Sequence, residues 1–208
     1  MSGHCDHDAE VFDGMSDSYR RALWVVIAIN GGMFLVEMMA GITARSQALQ
    51  ADALDFFGDS ATYGLSLFMI GQPLMWRARA ALFKGISLAL MGLWVLGSTA
   101  YHVLIMGVPT AEVMGVVGFM ALMANLASVV LLLKYRDGDA NVRSVWLCSR
   151  NDAIGNVAVL IAAAFVWQTN TGWPDLIVAG IMASLFMYSA IQIISHARQE
   201  MVQAAAHS

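Results

Sequence analysis

The chain has 208 residues, 59% of them hydrophobic and 12% charged, with a mean hydropathy of +0.64 and a formal net charge of −4. A soluble domain carries roughly 25% charged residues, so the composition excludes an ordinary soluble fold and points to an all-α integral membrane protein. Of the two cysteines, Cys5 lies in a polar stretch and Cys148 in an apolar one, so no disulfide framework is expected.

Residues 1–19 form a polar tail containing His4-Cys5-Asp6-His7-Asp8, which is either a solvated acidic terminus or a weak gatherer of soft cations. Its acidic start gives no basic n-region, and no removable signal peptide is expected. Six apolar spans follow within residues 20–197, and residues 198–208 make a short polar tail. The first span, Arg21 to Thr43, carries Asn30 and Glu37 seven residues apart on one face. Asn30 lies near the middle and Glu37 toward the outer interface. They are either hydrogen-bonding groups between helices or the lining of a polar path.

The second span, Leu49 to Gly71, begins with three acids, Asp52, Asp55 and Asp59, whose offsets of three and seven place them on one helix face. An acid at the centre of a spanning helix costs about 2.5–3.5 kcal/mol. Asp52 is expected at headgroup depth, where that cost is small. Asp55 and Asp59 lie deeper, and their i,i+4 carboxylates form half of a cation site. Arg77, Arg79 and Lys84 make a basic loop around the start of the third span, Leu82 to Met106. His102, near the end of that span, reads as an interfacial or hydrogen-bonded histidine. The fourth span is Val113 to Leu133, and a charged, turn-rich segment over 134–143 leads to the fifth, Val145 to Trp167. There Cys148, Asp152 and Asn156 share a face, while Arg150 points away and snorkels to the interface. The sixth span, Pro174 to Ser195, carries Gly180 and Ser184, a small-residue pair suited to helix packing.

Basic residues orient this threading. Arg20, Arg21, Arg77, Arg79, Lys84, Lys134, Arg136, Arg143 and Arg198 fall on one side, and only Arg45 lies in the opposite loops. Both termini are therefore expected in the cytoplasm. Polar breaks occur in the second and fifth spans, at corresponding places in two halves of three helices, as in inverted-repeat transporters. No Walker loop, His-Glu-x-x-His or Gly-x-Ser-x-Gly pattern is present, and no enzyme is expected.

Asn30 and Glu37, the run Ser46-Gln47-Ala48-Leu49-Gln50-Ala51-Asp52-Ala53-Leu54 with Asp55 and Asp59, and Asn151-Asp152-Ala153-Ile154-Gly155-Asn156-Val157 resemble the cation diffusion facilitator family of proton-coupled divalent-metal exporters. The resemblance implies a tetrahedral metal site near mid-membrane built from Asp55, Asp59, Cys148 and Asp152, with Asn151, Asn156 and Asp52 as secondary candidates. The family usually has His or Asp where this chain has Cys148. The thiol is either a ligand or a small apolar filler, with water or Asn151 completing the shell. Zn²⁺ accepts both sulfur and carboxylate oxygen, and a thiolate would tilt preference toward softer ions such as Cd²⁺.

The expected cargo is Zn²⁺, with Cd²⁺ or Co²⁺ as alternatives, and the expected counter-substrate is the proton. The resemblance also implies a cell (inner) membrane location and a homodimer. The family's usual cytoplasmic metal-binding domain has no room after Ser195, so the dimer would form through membrane helices. No nucleic-acid partner is expected. A non-transporting accessory subunit or metal sensor is the alternative reading, and a thiol enzyme at Cys148 is a remoter one.

Overall fold

A computed structural model describes residues 16–69, 74–105, 107–136 and 140–206. The tail motif His4 to Asp8 lies outside the described residues. Among the described residues six long helices follow in order: α1 (Asp17–Ala44), α2 (Gln47–Met69), α3 (Leu74–Ile105), α4 (Ala111–Leu132), α5 (Ala140–Thr169) and α6 (Trp173–Ala206), with one 3-10 turn at Leu133–Tyr135. Several run past their hydrophobic windows. α3 begins at Leu74, so Arg79 and Lys84 are helical rather than in a loop, and α6 continues beyond Ser195. Hydropathy marks only the lipid-immersed part of a helix, and backbone hydrogen bonding continues until a breaker or cap stops it.

Among the described residues, five segments are long and apolar enough to cross a membrane: Asp17–Ala44, Ala78–Val103, Ala111–Tyr135, Cys148–Thr169 and Trp173–Val202. The sixth long helix, α2, is the one interrupted by Asp52, Asp55 and Asp59. Large apolar side chains including Met39, Trp94, Val130, Trp167 and Ile191 face outward, as suits a surface solvated by lipid rather than water.

Three tight turns gather at one end of the bundle. Ser16 caps the start of α1 by accepting from the Tyr19 N–H. The other end of α1 closes through Arg45, whose φ of 56° places it in the left-handed region, and the Ser46 N–H returns to the Gly41 carbonyl. The Thr110 N–H then donates to the Ala44 carbonyl, joining the α1–α2 turn to the α3–α4 turn. Gly172, in the α5–α6 turn, packs so closely on the α3–α4 turn that a Cβ there would lie 2.7 Å from the Gly107 carbonyl oxygen.

Below these turns Ala48, Leu49, Ala51, Met114, Val159, Ala162, Val166 and Ala179 close the interior as an apolar core. At the far end Tyr19, Leu23, Tyr63, Leu67, Leu132 and Val145 hold α1, α2, α4 and α5 together. α3 and α6 form a separate close pair. A Cβ at Gly85 would lie 2.7 Å from Ile194 Cγ1, and one at Gly92 would lie 3.0 Å from Met187 Sδ. Gly180 and Ser184 do not take part in any such packing. Gly180 has open space where a Cβ would be, and the exposed Ser184 hydroxyl donates to the Gly180 carbonyl.

Candidate functional site

Between the α3–α6 pair and helices α2 and α5 lies a cavity of about 570 Å³. Asp55 and Asp59, one turn apart on α2, line it together with Cys148, Asn151 and Asp152 from α5. The Asp152 carboxylate comes within hydrogen-bonding reach of both Asp55 and Asp59. Tyr63, the next turn of α2, donates its hydroxyl to Asp59 Oδ2. From the opposite wall, half-buried Lys84 on α3 faces Asp59 and Cys148.

The rest of the lining is largely apolar, including Phe83, Leu88, Met182 and Phe186. Among the described residues no three of His, Cys, Asp and Glu are drawn together tightly enough to form a closed metal cage. The space is instead large compared with the roughly 30 Å³ share of one water. It has room for a small ion with part of its hydration shell.

The remaining sequence candidates divide. Asn151 lines the cavity but is exposed, and its Oδ1 accepts from Arg150 Nη2 at 3.3 Å. Asp52 and Asn156 are not part of the lining. Asp52 is 1% exposed, and its Oδ2 accepts from Asn156 Nδ2 at 2.6 Å. Asn156 Oδ1 in turn accepts from Asn125 Nδ2 at 2.8 Å. The helices that diverge around the cavity have closed on each other at this level, so an acid three residues before Asp55 meets protein rather than open space.

Glu37 joins the same buried group from α1. It is fully buried beside Asp52, and neither of its oxygens has a hydrogen-bond donor among the described residues. Asn30 is also buried, with its Oδ1 unpaired. Both residues point into the helix bundle. His102 Nδ1 donates to the Ser98 carbonyl at 2.8 Å, one turn back on its own helix. Exposed Arg150 stacks over Trp146 at 5.5 Å from the ring centroid.

Sequence reading overlooked Asp175. Buried in the first turn of α6, it accepts from Ser46 Oγ at 2.6 Å and from the Gln47 and Ala48 N–H groups at 2.7 and 3.1 Å. The free N–H groups at the start of α2 thus meet a carboxylate, the charge that a helix N-terminus favours. Ser46 Oγ also accepts from the Leu49 N–H at 3.0 Å, completing the cap. The available signals were a lone acid opening an apolar span and a serine just before α2. Tyr63 was missed as well, although its i,i+4 spacing from Asp59 was in plain view.

Residues 23–72 and 76–202 match the cation efflux transmembrane domain. The chain belongs to the cation efflux family. Two relatives are similar at lower coverage: the metal cation efflux system protein CzcD of Cupriavidus metallidurans and the cation efflux system protein CzcD of an Alcaligenes species. Each is 24% identical over 173 residues, a match covering 76% of this chain and 54% of the relative. The chain therefore spans about half the length of the curated relatives it matches. Family membership together with the apolar helices makes it a multi-pass membrane protein.

Proposed function

We propose that the protein exports divalent metal cations, Zn²⁺ first among them, in exchange for protons by alternating access. α2 crosses the membrane as a sixth span inside the bundle, and both termini lie in the cytoplasm. The observation that carries this reading is the meeting of acids from α2 and α5 on one cavity wall. Two efflux relatives, both named as cation efflux proteins, agree with it.

On this reading the ion enters from the cytoplasm and exchanges water for oxygens of Asp55, Asp59 and Asp152, with Cys148 as the soft fourth position. The cavity lies in the half of the bundle away from the three tight turns, which corresponds to an inward-facing state. Outward opening would come from movement of the α3–α6 pair against the other four helices. Protons and metal compete for the same carboxylate oxygens, so metal loading weakens as pH falls on the loading side. One divalent ion exchanged for two protons is electroneutral. One-for-one exchange moves positive charge outward against about 2.3 kcal/mol per 100 mV of negative-inside potential. Two copies would associate through membrane helices, for which the outward-facing Gly180 and Ser184 offer a surface of small residues.

Metal uptake into proteoliposomes of purified protein under a pH gradient tests the proposal. Wild type should accumulate Zn²⁺, and Asp59→Ala should lose roughly 100-fold in rate, at least the scale seen when groups around a metal site are removed. Equal uptake by the two proteins would defeat the site assignment. Absence of uptake by both would favour an accessory or sensing role.

A further inference from the structure

One cation is already built into the cavity wall. Lys84 sits on α3 opposite Asp55, Asp59 and Asp152, within electrostatic range of Asp59 and of Cys148. A charge on a helix wall differs from a charge in a loop because packing holds it at a fixed place. α3 is fixed by its close contacts with α6 at Gly85, the residue next to Lys84, and at Gly92.

Resting on the metal-export reading, we infer that Lys84 is a specificity-determining residue, a tethered counter-charge that matches the cavity to a divalent rather than a trivalent cation. With Cys148 kept as a neutral thiol, three ionised carboxylates and one ammonium leave a deficit that one divalent ion fills completely. A trivalent ion would leave the low-dielectric site with excess positive charge, and a monovalent ion would leave it short. Without Lys84 the same three carboxylates would balance a trivalent ion instead. The lysine repels every cation in the cavity, but the repulsion scales with the cation's charge. Its removal therefore strengthens binding of a trivalent ion more than binding of a divalent one.

The test is equilibrium binding of Zn²⁺ and Tb³⁺ to the purified full chain, at one pH and ionic strength, in wild type, Lys84→Met, Lys84→Gln, Lys84→Arg and Asp59→Ala. Lys84→Met and Lys84→Gln should bind both ions more tightly and raise the Tb³⁺ to Zn²⁺ affinity ratio by at least about tenfold, a floor below the effect of one unit charge a few ångströms away at intermediate dielectric. Lys84→Arg should keep the wild-type ratio. A lysine needed only for packing would instead weaken both ions together. An unchanged ratio in both neutral variants, or an equal shift in Lys84→Arg, would overturn the inference. If Asp59→Ala loses Zn²⁺ while the neutral lysine variants keep the wild-type ratio, the metal site stands and the role of Lys84 falls. If Asp59→Ala binds Zn²⁺ like wild type, the metal-site reading itself fails.

Discussion

The two ends of the bundle solve opposite problems with the same six helices. At the turn end, backbones touch and a buried acid is provided with donors: Asp175 binds the start of α2, Thr110 binds Ala44, and Gly172 rests on Gly107. Toward the other end, α2 and α5 part from α3 and α6, and acids face a cavity. Buried Asp175 has three donors from protein, whereas half-buried Asp55 and Asp152 meet each other. A carboxylate provided with donors holds structure together. On the proposed reading, a group of carboxylates drawn together beside an open cavity is where a cation comes and goes.

This contrast can be broken first at the closed end. Asp175→Ala would leave the Ser46 hydroxyl and two N–H groups without their acceptor, a loss of about 3 kcal/mol at 1–3 kcal/mol for each buried group left unpaired. Thermal melts in detergent should show the drop. A stability equal to wild type would mean that the start of α2 is held by something else. Gly172→Ala should cost about 1–3 kcal/mol, because the new methyl group meets a carbonyl oxygen at 2.7 Å that cannot rotate away. A neutral result in the same melts would show that the turns are not tightly joined.

At the open end the smallest effect is expected from Tyr63→Phe. It removes the hydroxyl on Asp59 Oδ2 while keeping the buried ring, so metal affinity should weaken about tenfold with little change in melting temperature. The reverse pattern, lower stability and unchanged affinity, would make Tyr63 a core residue alone.

Much of the open end was legible in the sequence because its signal is costly and local. Asp55 and Asp59 on one apolar helix, and Cys148 and Asp152 on another, stand out against lipid. The closed end was not legible, because Asp175 and Ser46 are unremarkable until folding brings α6 to the start of α2. Asp52 shows the same limit. Position along a helix does not reveal partners, and the Asn125–Asn156 chain that receives it comes from α4 and α5. Lys84 was counted for the side of the membrane it marks. Its place on a cavity wall depends on where α3 begins, and hydropathy does not show that.

The most direct measurement is the number of Zn²⁺ ions bound per chain by purified wild type, Asp59→Ala, Asp152→Ala and the double variant. If α2 and α5 hold one ion jointly, wild type binds one, and each single variant loses binding almost as completely as the double. Retention of full affinity after either single substitution would show that the two helices do not share an ion.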